Sequence, residues 1–369
     1  MRLPHRTVYA AVVLLAALGP VAAGATGTVA TAGARPVADA IAPAHGRPIA
    51  PAHGRSAASA ALRPGVVRPA ATAANVVAYL NTISGAHTVS GQHNREPNAS
   101  PALWTGKVHD ITGVYPGLWG GDFLYSQDDI ALRSTMVAEA RNERNAGSLV
   151  ALMWHMCPPT MSEPCGWESG VESHLTDNQW SELVTNGTAL NNAWKARLDA
   201  IVPYLQGLKD AGVPVLWRVL HEMNDGWAWW GGRPGPGGSA KLYQITHDYL
   251  VGTKGLTNLI WVWNVKDLNP GTIASYYPGA SYVDVATLDS WNNAFPPSQY
   301  YQTMQSVAPG KPIALAEVGR LPTPAQLAAQ PKWTYFMVWA EYLTNDNSDD
   351  AIKATYYDYQ VLHRGDIHL

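Results

Sequence analysis

Residues 215–232 read Val-Leu-Trp-Arg-Val-Leu-His-Glu-Met-Asn-Asp-Gly-Trp-Ala-Trp-Trp-Gly-Gly. The stretch opens with the β-branched and aromatic content of a buried strand. It then delivers a basic residue, a histidine and a carboxylate, followed by tryptophans among glycines. In a strand running through to Glu222, Arg218 and Glu222 share one side and His221 faces the other. An acid set beside an aromatic wall has its pKa raised and has an apolar ring face next to it. The competing reading is a strand edge with a surface ion pair and core tryptophans.

Outward from this stretch, short apolar runs alternate with amphipathic segments. Strands are expected at residues 88–92, 117–123, 149–156, 214–222, 259–264, 282–290, 312–317 and 333–340. Helices are expected around 102–112, 130–145, 179–207 with a break near Pro203, 239–252 and 349–363. Continuously apolar strands alternating with helices point to an α/β fold, a (β/α)8 TIM barrel. The competing architecture is a doubly wound open sheet. No glycine-rich phosphate loop follows the first strand, which weakens a nucleotide-binding version of it.

Arg2 and Arg6 precede an apolar run over residues 8–21, and Val21-Ala22-Ala23 or Ala23-Gly24-Ala25 suits a cleavage site. This predicts a signal peptide over residues 1–25 and a secreted, extracellular protein. The run is short for a membrane span, a membrane anchor being the alternative. Residues 26–72 are rich in Ala, Pro and Gly and bury too little to order, so a disordered linker is expected before a catalytic domain over 73–369. Export makes a disulfide between the only two cysteines, Cys157 and Cys165, the expected state, with two free thiols as the alternative. The formal net charge of -3 gives no reason to expect nucleic acid or an anionic membrane as partner. Trp and Tyr far outnumber Phe, at 15 and 17 against 3, which suits carbohydrate surfaces as well as cores. No cofactor and no metal site is expected, because the cysteines lack partners at zinc-like spacing and the histidines are scattered.

In a barrel, functional residues collect where strands end at the C-terminal face. The expected strands end in Gln92-His93, Gly121-Asp122, Trp154-His155, His221-Glu222, Trp263-Asn264, Asp289-Ser290-Trp291 and Glu317, with Trp339 near the last. Two of these ends, on strands four and seven, are glutamates facing one another across the mouth. Paired carboxyls flanking a bond are what glycoside hydrolysis needs, one as proton donor and one as nucleophile or base. For Glu317 alone, a buried ion-pair partner is the plainer reading.

The run His221-Glu222-Met223-Asn224, with Trp227 five residues past the glutamate and Trp229-Trp230-Gly231 beyond, resembles the acid/base motif of glycoside hydrolase family 26. Trp154-His155, Gly121-Asp122, Asp289-Ser290 and Glu317 match the same pattern, and the resemblance covers residues 73–363. It implies a retaining barrel enzyme of the endo-β-1,4-mannanase type acting on a β-linked polysaccharide, and a monomer is expected. It implies Glu222 as general acid/base and Glu317 as nucleophile. His155 would hydrogen-bond the sugar in the cleaved subsite, and His221 would support the acid or touch sugar. Trp227 and Trp339 would be stacking platforms, Trp339 having ordinary core as its alternative. Asp289 would orient His155 or bind a hydroxyl, Asp122 is a further binding candidate, and Arg218 would hold a nearby carboxylate ionised. Two residues depart from the pattern. Asp225 stands where many members have glycine, and Trp291 stands where a tyrosine hydroxyl would donate to the nucleophile. Trp can donate only through its indole nitrogen and is bulkier. A β-1,3-xylanase, a mixed-linkage β-glucanase and a non-catalytic carbohydrate-binding barrel remain as alternatives, and the loop carrying both cysteines, with Trp167, is expected to shape a cleft wall.

Overall fold

The apolar runs become strands because their backbone groups pair with neighbours on both sides while both side-chain faces are covered. The computed structural model describes residues 71–95 and 98–369, so the expected signal peptide and the expected linker up to residue 70 lie outside the described residues. The strands are β1 (Thr88–His93), β2 (Leu118–Asp122), β3 (Leu149–Met153), β4 (Val215–Arg218), β5 (Leu259–Lys266), β6 (Val285–Ser290), β7 (Ile313–Val318) and β8 (Trp333–Val338). They pair in chain order, all parallel, and β1 pairs with both β8 and β2, which closes the cylinder. With helices between the strands, this is the (β/α)8 barrel expected from the sequence.

Alternation along each strand divides the apolar residues into two cores. Leu216 of β4 joins Leu149, Ala151, Ile260, Val262 and Ala314 inside the cylinder. Its neighbour Trp217 points outward into the layer shared with the helices, beside Trp119, Trp263 and Leu205. The interior is therefore a filled core. Its N-terminal end is closed by the helix Ala73–Ile83, whose Val76, Leu80 and Ile83 join the interior cluster. Thr72 caps that helix, its side chain accepting from the Asn75 backbone N–H.

The structure corrects several expected boundaries. The strands β3, β4 and β8 stop at Met153, Arg218 and Val338, short of the expected 156, 222 and 340, whereas β5 runs on to Lys266. At the mouth the chain must leave the cylinder, and backbone groups there turn to partners across the site. The segment 130–145 is a short helix Gln127–Ala131 and a longer one Arg133–Ala146, parted at Leu132. The segment 179–207 is three helices, Asp177–Leu183, Ala189–Asp199 and Val202–Asp210, with Thr176 and Thr188 each supplying a new N-cap. The last helix ends at Tyr356, and β9 (Val361–Leu362) follows it. This short strand pairs with Thr88 and Val89, below the level at which β2 joins β1 at Gly91. It covers an edge of β1 that would otherwise be left unpaired.

Gly91 sits where β1 leaves no room for a side chain between β8 and β2. A Cβ there would lie 2.5 Å from the Phe336 carbonyl oxygen and 3.2 Å from Leu118 Cδ2. The first of these is backbone of a paired strand and cannot swing aside. Gly91→Ala is expected to destabilise the barrel by about 1–3 kcal/mol, read as a lower denaturation midpoint. An unchanged midpoint would show that the β1–β8 spacing yields more easily than the geometry implies.

Candidate active site

The C-terminal mouth of the barrel carries backbone strain as well as polar side chains. The non-glycine residues with positive φ, among the described residues, are Leu124, Leu220, Glu222 and Ala340, at +50°, +55°, +48° and +31°. All four follow closely on a strand end. Such conformations cost of order 1–3 kcal/mol each and persist where surrounding contacts over-determine them. For Glu222 those contacts are visible: its N–H donates to Asn264 Oδ1 at 2.6 Å, and Met223 N–H donates to the Asn264 carbonyl at 3.3 Å. The indole of Trp230 donates to the His221 carbonyl at 2.7 Å. The turn at Leu220 and Glu222 breaks strand alternation, so the expected shared face of Arg218 and Glu222 does not arise from an extended strand.

Arg218, pointing into the barrel from the end of β4, is the positive centre of the site. Its Nη1 donates to Asp289 Oδ2 at 2.8 Å, and its Nη2 donates to Glu317 Oε1. Glu317 thus has a guanidinium on one carboxylate oxygen. On the other, Oε2 accepts the Trp291 indole N–H at 3.1 Å. Trp291 therefore makes the donor contact with Glu317 that a tyrosine hydroxyl was expected to make. Asp289 also accepts from Asn264 Nδ2 at 2.7 Å. Burial pushes the Asp289 carboxyl up and Arg218 opposes that shift. Burial alone would lower the Arg218 pKa, but Asp289 and Glu317 reverse this and hold the guanidinium charged.

Glu222 faces this pair from a different setting. It is buried, and burial, opposed by Lys266 and reinforced by the charge of Glu317, raises its carboxyl to about 7. Its Oε2 accepts the Trp227 indole N–H at 2.6 Å and a bond from Lys266 Nζ at 3.1 Å. Lys266 Nζ also lies 3.2 Å from Asp225 Oδ2, so the aspartate that departs from the expected glycine shares the lysine with the acid. One carboxylate oxygen each from Glu222, Asp289 and Glu317 lie within 4.8 Å of one another.

Aromatic and imidazole rings form one wall. His155 Nδ1 lies 2.5 Å from Asp122 Oδ2, and its backbone N–H donates to Asp122 Oδ1 at 3.0 Å. Burial would raise the Asp122 carboxyl, but the His155 contact outweighs it and takes it down to about 2. Asp122, not Asp289, therefore orients His155; Asp289 is occupied by Arg218 and Asn264. His221 lies edge-on to His155, with ring centroids 4.6 Å apart, on the same wall rather than turned away. Burial first, then the neighbouring His155 and Arg218, holds His221 well below the usual imidazole range. Trp227 stacks on Trp167 at 5.5 Å between centroids. Trp339 lies over His93, stacked at 4.3 Å, so one of its faces is already covered. Burial lowers the His93 imidazole to about 3, which keeps this support neutral. The loop after β3 is closed by the Cys157–Cys165 disulfide and leads into Trp167.

Sequence reasoning missed the donor role of Trp227, the lysine on Glu222 and the part played by Asn264. Lys266 lay beyond the expected end of the fifth strand. Extending that strand by one alternation would have aimed it at the mouth beside Asn264.

The family described as Glycosyl hydrolase family 26 matches residues 67–366. A mannan endo-1,4-beta-mannosidase of Thermothelomyces thermophilus is 34% identical over 299 residues, covering 77% of this chain and 59% of the relative. The chain thus spans about three fifths of that relative's length. Among solved structures, GH26A from Muricauda sp. matches with a TM-score of 0.76 at 34% identity, over 83% of this chain and 99% of that one. A beta-mannanase from a symbiotic protist of the termite Reticulitermes speratus, solved with a gluco-manno-oligosaccharide, matches with a TM-score of 0.71 at 28% identity, over 81% and 96%. The family match runs through every strand of the barrel and takes in both glutamates that meet across its mouth; the chain belongs to glycosyl hydrolase family 26.

Proposed function

We propose that this protein is a secreted retaining endo-β-1,4-mannanase. The observation that carries the reading is the pairing of Glu222 with Glu317, their oxygens within 4.8 Å, with burial raising the Glu222 carboxyl and with Arg218 and the Trp291 N–H bound to Glu317. Retaining glycosidases hold their two carboxyls about 5–5.5 Å apart, leaving no room for a water between the second carboxylate and the anomeric carbon. Glu317, bound by Arg218 and the Trp291 N–H, is the anionic nucleophile. It attacks the anomeric carbon while the glycosidic C–O bond breaks. Glu222, kept protonated by burial, gives its proton to the departing oxygen. Water then attacks the glycosyl–Glu317 ester from the freed side, Glu222 takes its proton, and the ester bond to Glu317 breaks. Each displacement inverts the anomeric carbon, so the product retains its configuration.

The tryptophans Trp227 and Trp167 and the Asp122-oriented His155 supply an apolar ring face and a hydrogen-bonding group for the sugar beside the cleavage point. The mannan specificity is supported by the named activity of the Thermothelomyces relative. A second reading, the same chemistry on another β-glycan, is favoured by Trp291, whose bulk reshapes the subsite next to Glu317. Export is supported by the basic start and apolar run of residues 1–25.

Reducing-sugar release from mannan, glucomannan, lichenan and xylans decides among these. Mannan and glucomannan are expected to be cleaved. Cleavage of lichenan or xylan alone would move the assignment to another glycan, and binding without release from any polymer would favour a non-catalytic barrel. Glu317→Gln is expected to remove turnover, and Glu222→Gln to lower it by about 10²–10⁴-fold, both in proteins that still fold. Substantial activity in Glu317→Gln would end the nucleophile assignment.

The pH dependence follows from the acid. Glu222 must enter the first step protonated, so kcat/KM falls as pH rises through about 7. The Lys266 ammonium favours ionised Glu222, so Lys266→Met is expected to shift this alkaline limb to higher pH. A limb that stays in place or moves down would show that another group controls it.

A further inference from the structure

Asp267 follows the end of β5 and is almost fully buried, 1% exposed, yet the chemistry above gives it no part. Its carboxylate is surrounded by donors from a single turn just after β6. The backbone N–H groups of Trp291, Asn292 and Asn293 donate to it at 3.0, 3.0 and 2.9 Å. Three successive amides converging on one anion form a nest. The side-chain amides of Asn292 and Asn293 add contacts at 3.3 and 2.8 Å, and the Ser290 hydroxyl adds one at 3.4 Å. The Asp267 backbone is fixed in turn, its N–H donating to the Asp289 carbonyl at 3.0 Å. The first residue of the clamped turn is Trp291, whose indole donates to Glu317 at 3.1 Å. A tryptophan has few rotatable bonds, so fixing its backbone goes far toward fixing its N–H.

We propose that Asp267 is a positioning residue for the nucleophilic carboxylate, clamping the 291–293 turn so that the Trp291 indole N–H is aimed at Glu317. This rests on the reading of Glu317 as nucleophile. It acts through Trp291 alone: the carboxylate gathers the turn, the turn sets the indole, and the indole fixes one oxygen of Glu317 while Arg218 holds the other. A displacement of about 1 Å at a reacting group costs on the order of 10²-fold in rate. An amide in place of the carboxylate would point an N–H₂ at the backbone N–H donors of the turn and would loosen it.

The test is a double-mutant cycle on the polymer that the substrate panel identifies, using Asp267→Asn, Trp291→Phe and the pair. Asp267→Asn is expected to lower kcat/KM by about 10²-fold, the loss falling on kcat rather than KM. In the Trp291→Phe background the same change is expected to cost little more, because its target is gone. Costs that multiply in the double variant would overturn the proposal. So would a folded Asp267→Asn enzyme with wild-type kcat and only a lower thermal midpoint, which is the signature of a purely structural clamp. Should Asp267→Asn not fold, Asn293→Ala removes one donor and leaves the carboxylate in place. Its smaller loss must also vanish when Trp291 is Phe, and persistence of that loss would sink the idea. An active Glu317→Gln enzyme would instead overturn the nucleophile reading itself. An inactive Glu317→Gln beside a fully active Asp267→Asn would overturn this inference alone.

Discussion

The site depends on one buried cation. Arg218 stands at the end of β4 with Asp289 on one side and Glu317 on the other, inside a barrel that otherwise offers apolar surface. Two carboxylates brought there without it would repel one another and lose most of their hydration, and protons would be taken up instead. A planar guanidinium presents donors in two directions from one residue, which a lysine ammonium does not do with fixed geometry. Because it serves Asp289 and Glu317 but makes no bond to Glu222, the charge in the site is divided unequally. The proposed two-carboxylate mechanism needs such an inequality, and the guanidinium on Glu317 with none on Glu222 supports it.

The setting of Glu222 complements this. Burial raises it, and Lys266, partly occupied by Asp225, limits how far. A carboxyl balanced in this way suits the acid/base role proposed for Glu222, which must both give and recover a proton. The Trp227 indole fixes its carboxylate oxygen, and the Asn264 side chain fixes its backbone N–H. The same Asn264 donates to Asp289 through its other end. A single amide near the end of β5 thus ties the Glu222 backbone to Asp289, the carboxylate that shares Arg218 with Glu317. Burying polar groups is costly unless they find partners, and the partners of Glu222, Asp289 and Glu317 come from different strands of one cylinder.

What was legible in the sequence is what is written along the chain. Buried parallel strands are continuous apolar runs, so eight of them could be placed, and the polar residues at their ends could be assembled into one mouth. Glu222 and Glu317 stood out because each closes such a run. The pairings were not legible, because they are made through space. That Asp122 rather than Asp289 holds His155 depends on β2 and β3 lying side by side, with Asp122 level with Met153. The left-handed turn at Leu220 and Glu222 leaves no trace in composition, since neither residue favours it. The helix Ala73–Ile83 has an apolar stripe, but nothing in that stripe says it closes the end of a barrel. The strand β9 is two residues long and exists only because β1 has an open flank there.

Trp291 shows how one departure from a family pattern propagates. An indole is wider than a phenol, so its nitrogen can reach Glu317 only if the ring has space behind it and its backbone is fixed accordingly. The space comes from Gly319, just past β7: a Cβ at that position would sit 3.3 Å from Trp291 Cζ3, tighter than ordinary contact. Tyr342 meets the indole edge to face, with centroids 5.2 Å apart, and limits movement on the open side. The backbone is fixed by the nest of amides around Asp267. Each of the three constraints comes from a different part of the chain, and together they hold the indole where it donates to the carboxylate. The substitution of Trp for the expected Tyr is therefore not a local change. It is accompanied by a small residue after β7, an aromatic edge after β8 and an anionic anchor after β5.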